Sequence, residues 1–200
     1  AIEATCTWYH VYETLNALDV ETTLVNMRRT KTIAESKIKT DKLDAKTIAQ
    51  CLRTGFIATA YIPPKTIMEQ RNILRHRMSL GKEIIRYKNK VHAILLRNGI
   101  QHHDYSDLFG AGGMKFLRSL TLPDSEQYSL TSYLNIIETL LHEKTQTAEN
   151  IETLCKNNPQ AMLLTSIPGI SYYSAMIILT ELGEIHRFPH PKKLCSYAGL

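Results

Sequence analysis

Two stretches of heptad-spaced apolar residues, one from Thr66 to about Arg97 and one from Gln127 to about Cys155, constrain this chain more than any other feature. In the first, Ile73, Leu80, Ile84, Tyr87, Val91 and Ile94 recur at intervals of threes, fours and sevens. In the second, Leu130, Leu134, Ile137, Leu141, Ala148, Ile151 and Cys155 keep heptad spacing with one break at Lys144. Residues so spaced share one face of an α-helix, so each stretch carries a long apolar seam that has to be covered. Two such helices predict an antiparallel coiled coil. The connection between them holds the Gly110 to Gly113 cluster and Leu122-Pro123, which predicts a loop or short helices at its tip.

Pro63-Pro64 separates the first seam from what precedes it. There, Ala1 to Thr5 and Thr22-Leu24-Val25 read as short strands flanking a helix-like Trp8 to Ala17. Strand, helix, strand in that order predicts a parallel pair. Two short strands do not make a stable sheet alone, so further strands are expected from residues N-terminal to Ala1. A helix is predicted from about Asp41 to Thr54, closed by Gly55. At the other end, Gln160 to Ser166 and Tyr172 to Leu182 read as two helices joined by Ile167-Pro168-Gly169-Ile170-Ser171, with a further short helix from Pro191. The pattern is that of a helix-hairpin-helix. The expected fold class is α+β and predominantly α, with domains at 1–62, 63–157 and 158–200.

Charge is unevenly placed. Residues 61–100 carry nine basic and two acidic side chains, whereas residues 101–150 carry three and seven. A positive segment of that kind suits a polyanion such as nucleic acid, or forms a solvated helix face. Cys6, Cys51, Cys155 and Cys195 stand far apart, with no Cys-x-x-Cys pair, which argues against a zinc site and a secreted disulfide framework. The uncharged run Asn157 to Thr180 is divided by Pro168-Gly169 into pieces too short to cross a bilayer and reads as two buried helices; no membrane partner is expected.

Several side chains could carry chemistry. Glu3, in a strand between Ile2 and Ala4, either faces solvent or is aimed at a site. Asp41 and Asp44, three apart at a helix start, share a face; they either answer the helix dipole or hold one hard cation together. The turn Pro168, Gly169 and Ile170 either presents backbone N–H groups to a phosphate or merely joins two helices. His102-His103-Asp104 reads as a polar surface loop, and Trp8 and Tyr9 as core. Arg71, Arg75, Arg77, Lys82, Arg86, Lys88, Lys90 and Arg97 would neutralise phosphates if the first long helix binds nucleic acid.

Taken in order, Ile2-Glu3-Ala4-Thr5, Val25-Asn26, Lys39-Thr40-Asp41-Lys42-Leu43-Asp44-Ala45, Ile62-Pro63-Pro64, Arg71 through Arg77, Lys88-Asn89-Lys90-Val91-His92, Ser166-Ile167-Pro168-Gly169-Ile170 and Phe188-Pro189 through Tyr197-Ala198-Gly199-Leu200 resemble the insertion-sequence-110 family of transposases, which includes the Piv-type DNA invertases. The resemblance spans essentially the whole chain. It implies a RuvC-like, ribonuclease-H-fold domain, then a coiled coil, then a C-terminal domain bearing a nucleophilic serine. It also implies an Asp-Glu-Asp-Asp carboxylate set binding Mg²⁺ (or Mn²⁺), in which Glu3 matches the strand glutamate and Asp41 and Asp44 the final aspartate pair. The implied activity is site-specific DNA recombination by metal-dependent strand cleavage and rejoining, guided by a structured RNA. DNA, the guide RNA and further copies of the chain are the implied partners, and the prokaryotic cytoplasm, at the nucleoid, the implied location. The family's first aspartate is expected before Ala1 and its serine after Leu200, so residues 1–200 are expected to be inactive alone. A RuvC-like structure-specific nuclease and a non-catalytic nucleic-acid-binding coiled coil are the alternatives.

Overall fold

The computed structural model describes residues 1–26, 41–101 and 105–200, the Asp41 side chain excepted. The basic stretch before Asp41 and the His102-His103-Asp104 segment therefore lie outside the described residues. Contacts divide the chain into two compact units, Ala1–Pro64 and Lys65–Leu200.

In the first unit, β1 (Ile2–Glu3) and β2 (Leu24–Val25) pair in parallel with Ile2 opposite Leu24 and Glu3 opposite Val25, as the strand–helix–strand order predicts. The crossover is α1 (Trp8–Ala17). On its other side β2 meets a third extended segment that the sequence pattern does not reveal. The Asn26 N–H donates to the Ala58 carbonyl and the Ala60 N–H to the Leu24 carbonyl, both at 2.8 Å, around an antiparallel bridge between Val25 and Thr59. Leu24 and Val25, held from both sides, are the buried strand residues, joined in the core by Ile48 and Cys51 of α2 (Asp41–Thr54). The chain leaves α2 through Gly55 at φ +72°, a conformation that a Cβ would strain. Trp8 and Tyr9, expected in the core, are only half-buried, and α1 buries no residue. A narrow sheet cannot cover a helix face, so Trp8, Tyr9 and Tyr12 pack on one another instead, with ring centroids 5.4 to 6.4 Å apart.

The second unit is built on two helices of 33 residues, α3 (Lys65–Arg97) and α5 (Asp124–Lys156), with α4 (Ala111–Ser119) between them at the tip. At 1.5 Å per residue each spans about 50 Å. Seam residues Val91, Ile94, Leu95, Leu130, Leu134 and Ile137 form a tip core with Leu108 and Leu117. Gly113 is required there: a Cβ would run into the Leu108 backbone carbonyl. At the opposite end Leu74, Ile151 and Cys155 pack with Ala161, Ala175 and Met176. These last three come from α6 (Pro159–Thr165) and α7 (Tyr172–Leu182), so the segment expected to be a separate domain rests on the base of the hairpin. A 3₁₀ turn (Ile185–Arg187) and α8 (Pro191–Ala198) complete it.

Local signals explain the helix limits. Asn158 accepts from the N–H groups of Gln160 and Ala161, with Pro159 in the first turn; Ser171 accepts from the Ser174 N–H. The expectation that Asn157 to Thr180 is largely buried holds for one face alone. In α6 only Ala161 is buried, and Leu163 is 72% exposed, because a seven-residue helix on a hairpin base has one side to cover. Among the described residues no helix is long and apolar enough to cross a membrane.

Candidate functional site

Two places collect the residues singled out above. In the first unit, β1 delivers Glu3 to a cleft of about 540 Å³ whose opposite wall is α2. The Ile2 N–H donates to the Thr23 carbonyl at 2.9 Å and so fixes the strand, and the Thr5 N–H turns back to the Glu3 carbonyl at 2.8 Å, ending it. Asp44 lines the same cleft, followed along the helix by Ala45, Ile48, Ala49 and Leu52. Glu3 and Asp44 are both half-buried, and neither makes an ion pair with a described residue. Asp41 stands in the first turn of α2, three residues before Asp44, with its side chain outside the described residues. Among the described residues no group of three His, Cys, Asp or Glu side chains is placed to hold a metal ion. The pair that does face the cleft offers hard oxygen donors, the set that suits Mg²⁺ or Mn²⁺ rather than a soft metal.

In the second unit α3 deploys its cations very unevenly. Arg71 is 9% exposed; its Nε donates to the Thr180 carbonyl at 2.8 Å and its Nη2 to the Glu181 carbonyl at 3.2 Å. It therefore satisfies carbonyls at the end of α7, that of Glu181 together with the Tyr197 hydroxyl at 3.3 Å, an internal task that leaves little of it for a polyanion. Arg75 bonds Glu181 Oε1 at 3.2 Å, and the Arg77 guanidinium carbon lies over the Tyr173 ring, 4.0 Å from its centre. Lys88 sits 4.6 Å from the Phe109 ring centre, and Lys90 sits 4.4 Å from that of Tyr87 and 5.0 Å from that of Tyr133. Arg97 forks onto Glu126 at 3.0 and 3.1 Å, which raises its pKa further. Lys82 is exposed, and Arg86, paired with Glu83 at 3.2 Å, keeps 63% of its side chain exposed. The basic segment is thus partly a rack for α7 and the tip, and partly a solvent-facing row.

Between α6 and α7 the Ile170 N–H donates to the Ile167 carbonyl at 3.1 Å, and Gly169 has φ +89°. Proline second and a positive-φ glycine third make this a type II turn. The turn is exposed, and the space beside Gly169 is open.

Comparison with known proteins assigns the chain. A DEDD-type IS110 model described as a transposase matches residues 1–98, and a model described as a transposase of the IS116/IS110/IS902 family matches residues 161–200. The chain belongs to the IS110 family of transposases. It is 25% identical over 202 residues to the transposase of element IS1111A from Coxiella burnetii, covering 96% of this chain and 53% of that one. The transposase of IS1328 from Yersinia enterocolitica is 28% identical over 172 residues, covering 81% and 48%. A putative transposase, y4qE, from Sinorhizobium fredii is 24% identical over 199 residues, covering 99% and 48%. The chain thus spans about half the length of these curated relatives. The first IS110 match covers both carboxylate-bearing elements and all of α3, and the second covers the α6–α7 turn.

Proposed function

We propose that this IS110-family chain carries the metal-dependent strand-cleaving part of a DNA recombinase, with Glu3, Asp41 and Asp44 as catalytic carboxylates. The observation that carries the proposal is the shared cleft: a strand-end glutamate and a helix-start aspartate, far apart in sequence, face one space in the first unit. Mg²⁺ or Mn²⁺, when bound, would stabilise the attacking and leaving oxygens of a phosphoryl transfer. The chain's own part is to hold the oxygen donors on rigid elements, Glu3 through the parallel pairing of β1 and the aspartates through the first turn of α2. The apolar side chains of Ala45, Ile48 and Ala49 keep the rest of the cleft free of competing charge.

In this proposal the unit is RuvC-like, the long hairpin is a coiled coil, and α6, the Pro168-Gly169 turn and α7 act as a helix-hairpin-helix whose N–H groups meet a phosphate. The nucleic-acid contacts fall to Lys82, Arg86 and the outward parts of Arg75, Arg77, Lys88, Lys90 and Arg97, together with Pro168, Gly169 and Ile170. A structured guide RNA, DNA and a second copy of the chain are the proposed partners.

The test is cleavage of the element's own end sequence by the full-length protein in Mg²⁺ or Mn²⁺. Changes around a metal's ligands alone cost roughly 10- to 100-fold, so Glu3→Gln or Asp44→Asn should cut the rate by more than about a hundredfold with the circular dichroism unchanged. Cleavage by either variant at the parental rate would overturn the assignment.

A further inference from the structure

A groove of about 380 Å³ runs along one side of the hairpin between α3 and α5. Asn72, Ile73 and His76 come from α3, and Glu143, Gln146, Thr147 and Asn150 from α5. It lies beside the break in the heptad pattern, where Lys144 replaces an apolar residue and Leu141 is 38% exposed. The rows that flank a coiled-coil seam ordinarily carry Glu and Lys side chains that pair across it. Here, beside the apolar Ile73, the two rows bring together three carboxamides, an imidazole, a hydroxyl and a single carboxylate, with no ion pair crossing the groove among the described residues.

Those groups are also largely unspent. The side chains of Asn72, His76, Glu143 and Asn150 make no hydrogen bond with a described residue; Gln146 meets only His142, at 3.0 Å, and Thr147 donates to the Glu143 carbonyl at 2.8 Å. The base core lies directly beneath, with Leu74 and Ile151 next to the lining residues in sequence and Ile73 packed against it, so the groove is a polar rim on a packed floor.

We infer that this groove receives an unpaired nucleobase bearing an exocyclic amine: adenine, cytosine or guanine. A carboxamide offers a donor and an acceptor side by side, the arrangement that matches a base edge, and a carboxylate accepts from an exocyclic amine. Uracil and thymine lack that amine and present a carbonyl to Glu143 instead. A phosphate is a poorer occupant, since it would face the same carboxylate. The volume admits one base in the range of ordinary ligand pockets. Lys82 and Arg86, further along α3, supply positive charge for the phosphates of a strand that follows the hairpin. The inference rests on the proposal that the chain binds nucleic acid, and adds to it a site of base selection.

The experiment measures fluorescence anisotropy of short labelled single-stranded homopolymers on the 200-residue chain across a range of salt: A, C and U in RNA, and A, C and T in DNA. A and C should bind about fivefold or more tightly than U or T, the low end for one bidentate base contact. The double variant Glu143→Ala/Asn150→Ala should lose that preference while the salt slope stays unchanged. Because the readout is a ratio between bases, the general gain in affinity from removing one negative charge cancels. Lys82→Gln/Arg86→Gln should weaken every homopolymer alike and flatten the salt slope. The RNA and DNA arms separate the two sources of strand through the 2′-hydroxyl. Equal affinity for all bases, or a preference that survives in Glu143→Ala/Asn150→Ala, overturns the base site and leaves the nucleic-acid proposal standing if Lys82→Gln/Arg86→Gln still lowers the slope. No binding of any strand overturns both.

Discussion

At the tip of the hairpin the seam closes on itself. Val91, Ile94, Leu95, Leu130, Leu134 and Ile137 are all within 1% of complete burial, and the short helix α4 lies over them through Leu117. At the base the same two helices contribute only Leu74, Ile151 and Cys155 to the core, and the remainder comes from Ala161, Ala175 and Met176 of α6 and α7. The base also buries an arginine, Arg71, whose donors end on backbone carbonyls of α7. Large branched side chains suffice where two helices and a cap meet; small ones let further helices approach closely, and their extra carbonyl ends then need a donor. The tip is held by shape, the base by shape and hydrogen bonding together.

That contrast sets the order of expected effects. Leu134→Ala should remove the most, about 2 to 5 kcal/mol of unfolding free energy by denaturant titration, as for a fully buried leucine in a core that cannot collapse. A loss under about 1 kcal/mol would mean the tip is looser than its burial indicates. Arg71→Met keeps the apolar stem but removes the donor to the Thr180 carbonyl and one of two donors to that of Glu181, and should cost about 1 to 3 kcal/mol. It should also raise amide exchange at the C-terminal end of α7 and leave the tip protected; uniform exchange would erase the distinction between the ends.

Cys155 sharpens the comparison through pH. Burial in the base core disfavours the thiolate and raises its pKa, so the folded state releases this proton at higher pH than the unfolded state. The stability it confers is complete below the unfolded thiol's pKa and is lost as pH rises through the folded value. Stability measured from neutral to alkaline pH should therefore fall more steeply in the parent than in Cys155→Ala, and parallel curves would refute the linkage. The smallest effect belongs to the exposed Arg97–Glu126 pair near the tip, 3.0 Å apart. Glu126→Gln should shift the midpoint less than either change above, and the difference should disappear at high salt.

Much of the fold is legible in the sequence because its signals are local. Spacing places α3 and α5, Gly55 and Gly183 end α2 and α7, and Pro191 opens α8. The segment 58–60 escapes such reading because an isolated bridge needs only two backbone hydrogen bonds and leaves no run of alternating residues. Arg71 and Lys82 illustrate the same boundary at the candidate site. Both are cations on one helix, alike in sequence, but one is consumed by α7 and the other faces solvent.

Periodicity, capping residues and charge distribution are properties of neighbours along the chain, and they determined by themselves that this protein would have two long seamed helices, a parallel strand pair and a positive segment. The cleft shared by Glu3 and Asp44, the type II turn's exposure, the division of α3 between inner and outer cations, and the groove beside the heptad break were decided only in three dimensions. Each depends on which remote element comes to lie alongside, and for the α3 cations on which carbonyl or ring falls within about 3 to 5 Å, the short range over which hydrogen bonds and cation–π contacts act; sequence order carries no measure of that distance.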